Sequence, residues 1–566
     1  MKRRLLPILM TLVLVCALPI WAAFVTSGDV TNPLVCTAWA DTAEGERNSG
    51  TTQETFTEVT DETTLKKAVE DGKSVRMTQD ITLTSPLCIE KTVTLDLNGH
   101  VLTRKNTDRY DIVIIQSGAT LTLIDSNTGN LQHRFNAGET GWTKAADNAT
   151  GDGIVTVTGG VIYGDAGRSI INPCGIKILK GKLEMYGGSI VGIRNVYNAN
   201  GGGVYVSDQC TFNMYGGSIK GCYVFSDGGG VYVAAGGTFT MSGSSAITNC
   251  KGSRGGAVYN AGTFTMRDNS HIADCIYNSS IASGGGVHNK GTFTVEGGSI
   301  TGSVNDHNRE QSSDDICNEN KLDVSEGITI SCNVNVGYGG TISKGTFTGR
   351  VWIFWEGTIL GGTFTNEVIN YEGTIKAGEF TGEVTNTSGG TISGGTFDKN
   401  VANESGATIS GGTFNENVTN KTNATLNGGI FYGGVTNDGG KIEDGAYETV
   451  KFNSDNGAQA KEEKVLRGQK VAKPTDDPTK SGYTFIGWED ADGAYDFSKS
   501  VTAPLTLTAK WEKNPSSGGY YYYPTTDTKA DDTKGSPKTA DPGVALYGVL
   551  SLLSLTGMVA LNGKKR

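Results

Sequence analysis

Aromatic side chains return every 16 or 17 residues through the C-terminal half of this 566-residue chain, at Phe347, Phe364, Phe380, Phe397, Phe414, Phe431 and Tyr447. Valines at 351, 368, 384, 401, 418 and 435 keep the same step, as do Ile342, Ile359, Ile375, Ile392, Ile409, Leu426 and Ile442. A unit this short cannot bury its own apolar face, so each must stack on the next as a coil of short strands. Upstream the period lengthens: Ile162, Ile190, Ile219, Ile247, Ile272 and Ile300 step by 25 to 29 residues. A second column there, Ile176, Val204, Val231, Val258 and Val287, follows glycine directly or, at Val258, a Gly-Gly-Ala step. The pattern predicts an all-β chain, with a parallel β-helix over residues 61–335 and a narrower β-solenoid over 336–448. Six intervals of the narrow array, at ~4.8 Å per coil, give roughly 29 Å of solenoid.

Asn370, Asn386, Asn403, Asn420 and Asn437 repeat two residues after the valines. A turn-stabilising amide ladder is the expected reading, ahead of a recognition strip. Open ends of a solenoid expose strand edges, so a cap is required. Residues 64–71 read as a short amphipathic helix with Leu65, Ala68 and Val69 on one face and Gly72 as its stop. With the alternating strand Val93-Thr94-Leu95-Asp96-Leu97 and the Asn98-Gly99 turn, this resembles the N-terminal caps of extracellular β-helix proteins. The segment Gly255-Gly256-Ala257-Val258-Tyr259-Asn260 resembles the GGA-type repeats of bacterial surface β-helix adhesins. That resemblance implies the larger, right-handed kind of parallel β-helix.

Residues 449–512 break the period. The matching positions Val450-Lys451-Phe452, Gly482-Tyr483-Thr484-Phe485-Ile486-Gly487-Trp488, Tyr495-Asp496-Phe497 and Leu507-Thr508-Ala509-Lys510-Trp511 resemble the Listeria–Bacteroides repeat. The resemblance implies a small β-grasp-like unit serving as a stalk or interaction module, with Trp488 and Trp511 in its core. A Pro/Ser/Gly/Thr/Asp-rich linker follows over 513–535, including four adjacent tyrosines at 520–523.

Both termini carry targeting signals. Lys2, Arg3 and Arg4 precede an apolar stretch at 5–23, the pattern of a signal peptide over 1–27, followed by a flexible segment at 28–60. At the other end Ser536-Pro537-Lys538-Thr539-Ala540 precedes an apolar run at 544–561 and the cations Lys564, Lys565 and Arg566. That run, about 27 Å long as a helix, suffices to cross the hydrocarbon core of a bilayer. The region 536–566 resembles the LPxTG family of sorting signals, with Ser536 for Leu and Ala540 for Gly. The resemblance implies a sortase as partner, a cut between Thr539 and Ala540, and covalent attachment through Thr539 to the peptidoglycan of a Gram-positive cell wall.

A formal charge of −11 gives no basic face for nucleic acid. The ten cysteines show no CxxC or metal-ligand spacing, and with five histidines no metal and no cofactor is expected. Cys222, Cys250 and Cys275, each three residues after a ladder isoleucine, should form a column of buried small side chains. The leading functional expectation is a monomeric, non-enzymatic adhesin that presents loops, above all 134–151 and 304–315, to host or environmental glycans or proteins. The alternatives are a polysaccharide-cleaving β-helix enzyme, with Asp152, Asp165 and Arg168 as the candidate site, and a passive stalk.

Overall fold

The computed structural model describes residues 55–515, apart from 106–109, 130, 139, 165–173, 196–199, 279–282 and 306–314. The signal peptide, the sorting motif Ser536–Ala540, the apolar run 544–561, Asp165 and Arg168 lie outside the described residues, as do most of loop 304–315 and of the linker. Among the described residues no helix is long and apolar enough to cross a membrane.

Helix α1 (Glu62–Glu70) opens the fold. Its N-cap Asp61 accepts a 2.9 Å hydrogen bond from Thr64 N in a capping box, and Leu65, Ala68 and Val69 turn inward. The cap starts earlier than the flexible segment expected up to residue 60, because Thr57–Val59 already pairs in parallel with Val75–Met77.

The chain then winds into a parallel stack. Sheet I holds seventeen strands from Thr57–Val59 to Lys441–Ile442, and sheet II fifteen from Leu87–Ile89 to Val435–Asp438. Both run unbroken from wide to narrow coils: Leu322 pairs with Ile342 in sheet I, and Ile316 with Val334 and then Val351 in sheet II. The two arrays are therefore one stack. What changes at the junction are the other sides. Sheet III (eight strands, Ile81–Leu83 to Ser299–Thr301) gives way to sheet V (seven strands, Thr329–Ile330 to Ile430–Phe431). Sheet IV (five strands, Arg194–Asn195 to Val304–Asn305) ends, so a four-sided coil becomes a three-sided one.

Strands this short place one or two side chains inward, and register stacks identical ones. Phe212, Phe239, Phe264 and Phe293 lie 4.7–4.9 Å apart, ring over ring, and the Phe347-to-Phe431 column of sheet V repeats at 4.7–5.2 Å. Each stacked pair adds about 0.5–1.5 kcal/mol beyond area burial. A single apolar core extends from Val59 to Ala446. Turns next to sheet V need a left-handed residue: Gly345 sits at φ +114°, and a Cβ there would come 2.4 Å from Val324 Cβ.

Two further units cover the rod. Residues 131–158, expected in part as an exposed ligand loop, form an antiparallel sheet of Gln132–Asn136, Thr143–Lys144 and Ile154–Thr158. Its Phe135, Trp142 and Val157 pack on Val101, Val161, Tyr163 and Val191, shielding the outer side of sheet III. At the far end the five-stranded mixed sheet of residues 447–513 docks onto the last coils, with Tyr447 and Leu466 packed on the rod's core. Phe431 N donates to Arg467 O at 2.8 Å, and Arg467 N to Ala446 O at 3.0 Å. Trp488 is buried between Phe452 and Phe485, in the core as expected, while Trp511 is half-buried and packs edge-on against Phe485 at the margin of that core.

Candidate functional site

The asparagine column is not a recognition strip. Asn370, Asn386, Asn403 and Asn420 are fully buried, and each Nδ2 donates at 2.7–2.9 Å to the Oδ1 of the next asparagine. The same Nδ2 reaches a backbone carbonyl one coil on, for example Thr425 O from Asn403 at 3.2 Å. A shorter ladder, Asn260–Asn289–Asn318, precedes it in the same register, and Val336 and Ile353 interrupt the column. Cys222, Cys250 and Cys275 are likewise buried and unbridged; burial pushes the Cys222 and Cys275 thiols well up. Asp152 is exposed in the turn before Ile154–Thr158.

Two places depart from this structural economy. The first is the turn between sheets II and I where the rod narrows. Tyr338, Trp355 and Tyr371, from three consecutive coils, are 50%, 44% and 39% exposed. Tyr338 and Trp355 pack at 4.8 Å between ring centroids, and the half-buried Phe354 lies 5.8 Å from Trp355 and 6.0 Å from Tyr371. Trp355 and Tyr338 sit at φ +35° and +50°, an uncommon and strained region for bulky residues. Beside them Glu356 and Glu372, at φ +68° and +65°, occupy a turn column filled in later coils by Gly389, Gly406, Asn423 and Gly439. Residues suited to the turn stand in the later coils; aromatic and acidic residues stand here. Ring faces beside carboxylates form a platform for CH–π stacking and hydroxyl recognition.

The second is the outward column of sheet II in the wide coils. In each three-residue strand the middle side chain faces out, giving Lys177, Tyr205, Tyr232, Tyr259, His288, Cys317 and Asn335 in register. Tyr205, Tyr232, Tyr259 and His288 stack at 5.1–5.2 Å. Burial raises the tyrosine hydroxyls, that of Tyr259 to about 12. The acids along this face carry cation partners: Asp111 with Lys177 at 3.5 Å, Asp227 with Arg254 at 2.6 Å, Glu319 with Lys290 at 2.9 Å. Burial alone would push the Glu319 carboxyl up, but His288 and Lys290 beside it outweigh this and hold it at about 2. Burial likewise lowers His288 against the pull of Glu319. An imidazole, a carboxylate and the Cys317 thiol thus meet, with ligand atoms within 4.8 Å of one another, and could hold a metal ion.

Among families of known proteins, the Listeria-Bacteroides repeat domain matches residues 449–510. No curated protein and no solved structure matches the chain.

Proposed function

We propose that this chain is an extracellular surface protein whose β-helical rod binds glycans through the platform of Tyr338, Trp355 and Tyr371. The observation that carries the reading is three exposed aromatics on successive coils beside Glu356 and Glu372, whose turn column is glycine or asparagine in the later coils. Stacking of a pyranose on Trp355 with hydroxyls bonded to Glu356 or Glu372 is the chemistry such a patch supplies. The extracellular setting is supported by the Listeria-Bacteroides repeat, a module of extracellular surface proteins. Binding is favoured over cleavage because Asp111, Asp227 and Glu319, the acids of the neighbouring outward column, are each held by a cation. Attachment is by sortase at Ser536-Pro537-Lys538-Thr539-Ala540, leaving Thr539 joined to peptidoglycan, after export by the leader at 1–27.

The test is a glycan and matrix-protein array probed with the full chain and with Trp355→Ala and Tyr371→Ala. Saturable glycan binding lost in both variants, with unchanged melting, is expected, together with wall digests whose C-terminal peptide ends at Thr539. Protein binding indifferent to both substitutions would move the site off the platform, and release of shortened sugars would make the chain an enzyme.

A further inference from the structure

The outward column of sheet II ends its aromatic run on His288, which is 1% exposed and buries both ring nitrogens: Nε2 faces Glu319, and Nδ1 has no hydrogen-bond partner. A buried ring nitrogen left unpaired is destabilising, so Nδ1 calls for an explanation. Its neighbours supply one. Cys317 is its register partner on the next coil, and Glu319, two residues on, faces the same side. Glu319 Oε1 lies 3.3 Å from His288 Nε2, while its Oε2 is held by Lys290 Nζ at 2.9 Å. The next position in the column, Asn335, also buries its Oδ1 without a partner.

We propose that His288, Cys317 and Glu319 bind a divalent transition-metal ion of the zinc class. Imidazole nitrogen, thiolate sulfur and carboxylate oxygen are the donor set such an ion takes. Bonds of about 2.0–2.3 Å at tetrahedral angles put ligand atoms ~3.5 Å apart. The three groups, within 4.8 Å, reach that by side-chain rotation. Lys290 then acts as an outer partner that orients the carboxylate, and Tyr259, stacked 5.2 Å from His288, fixes the plane of the imidazole. Three protein donors leave a fourth position for water or for the Asn335 amide oxygen. Binding exchanges the Cys317 thiol proton, released to solvent, for a metal–sulfur bond, with no redox change. The ion clips two successive coils together at the point where sheet IV ends and the rod loses a side.

The experiment uses the full chain, reduced, stripped with a chelator and titrated with Co2+. One equivalent should bind with a thiolate-to-cobalt charge-transfer absorption, be displaced by Zn2+, and raise the melting temperature. Cys317→Ser should abolish that absorption. His288→Phe, which preserves the stack on Tyr259, should weaken binding on the order of 100-fold while leaving the circular dichroism unchanged; Glu319→Gln should weaken it less. Absence of Co2+ uptake would overturn the proposal. So would uptake unaltered by His288→Phe and Cys317→Ser, which would locate the ion at other cysteines.

Discussion

The buried asparagines show how one amide per coil specifies register. Each donates forward, so an internal rung serves two neighbours and an end rung one. Asn370 begins the longer ladder, and its Oδ1 has no donor because Ile353 precedes it. Asn403→Leu should therefore strand Asn420 Oδ1, at about 1–3 kcal/mol, and leave Asn386 Nδ2 with the Thr408 carbonyl as its one remaining acceptor. Asn370→Leu strands Asn386 Oδ1 alone and should cost less; denaturant unfolding of both full-length variants measures the difference. This ladder was legible in the sequence because its spacing and identity are constant. The aromatic platform was not: Tyr338, Trp355 and Tyr371 differ in type and in distance from the ladder column, and their proximity emerges once the coils are aligned. The signal was present, as aromatics one or two residues after the ladder column in three successive coils. The His288–Cys317–Glu319 group is harder still, since His288 and Cys317 are 29 residues apart and meet because one wide coil happens to be that long.

At the level of elements, the N-terminal cap is held to the stack by Glu62. Its carboxylate accepts from Thr84 N at 2.9 Å and Thr84 Oγ1 at 2.8 Å, and pairs with Lys66 at 2.5 Å. Burial raises its pKa, but these contacts outweigh burial and lower it from 4.5 to about 2. The folded-state value lies below the unfolded one, so the stabilisation is present above about pH 4.5 and is lost as pH falls towards 2. Melting of the wild type should show this loss across that window, and Glu62→Gln should flatten that component of the profile. The helix itself was legible from Leu65, Ala68, Val69 and Gly72, with its start two residues earlier because the capping Asp61 precedes the apolar stripe. The 131–158 insertion reads in part as loop because its strands pair antiparallel outside the repeat and carry no period of their own. Phe135 and Trp142, buried there, were the clue that it has a core.

Across the whole molecule, two sheets that never break make the wide and narrow arrays one body, capped by α1 at one end and by the Listeria-Bacteroides repeat unit at the other. The two periods were plain in the sequence, but a period does not reveal which columns continue across a junction. The pairing of Leu322 with Ile342 and of Ile316 with Val334 does. A continuous rod holds the platform at a fixed height and angle, which a hinged pair of domains would not. The most direct test places spin labels, through non-natural amino acids because the chain holds ten cysteines, at Lys182 and Thr408. These outward positions of sheet I are joined by ten register steps, through Thr211, Thr238, Thr263, Thr292, Lys321, Thr341, Thr358, Thr374 and Thr391. At ~4.8 Å per step, pulsed dipolar spectroscopy should return one narrow distribution near about 48 Å. A broad, bimodal or markedly shorter distribution would mean that the rod bends at the junction, and the single-body account would be wrong.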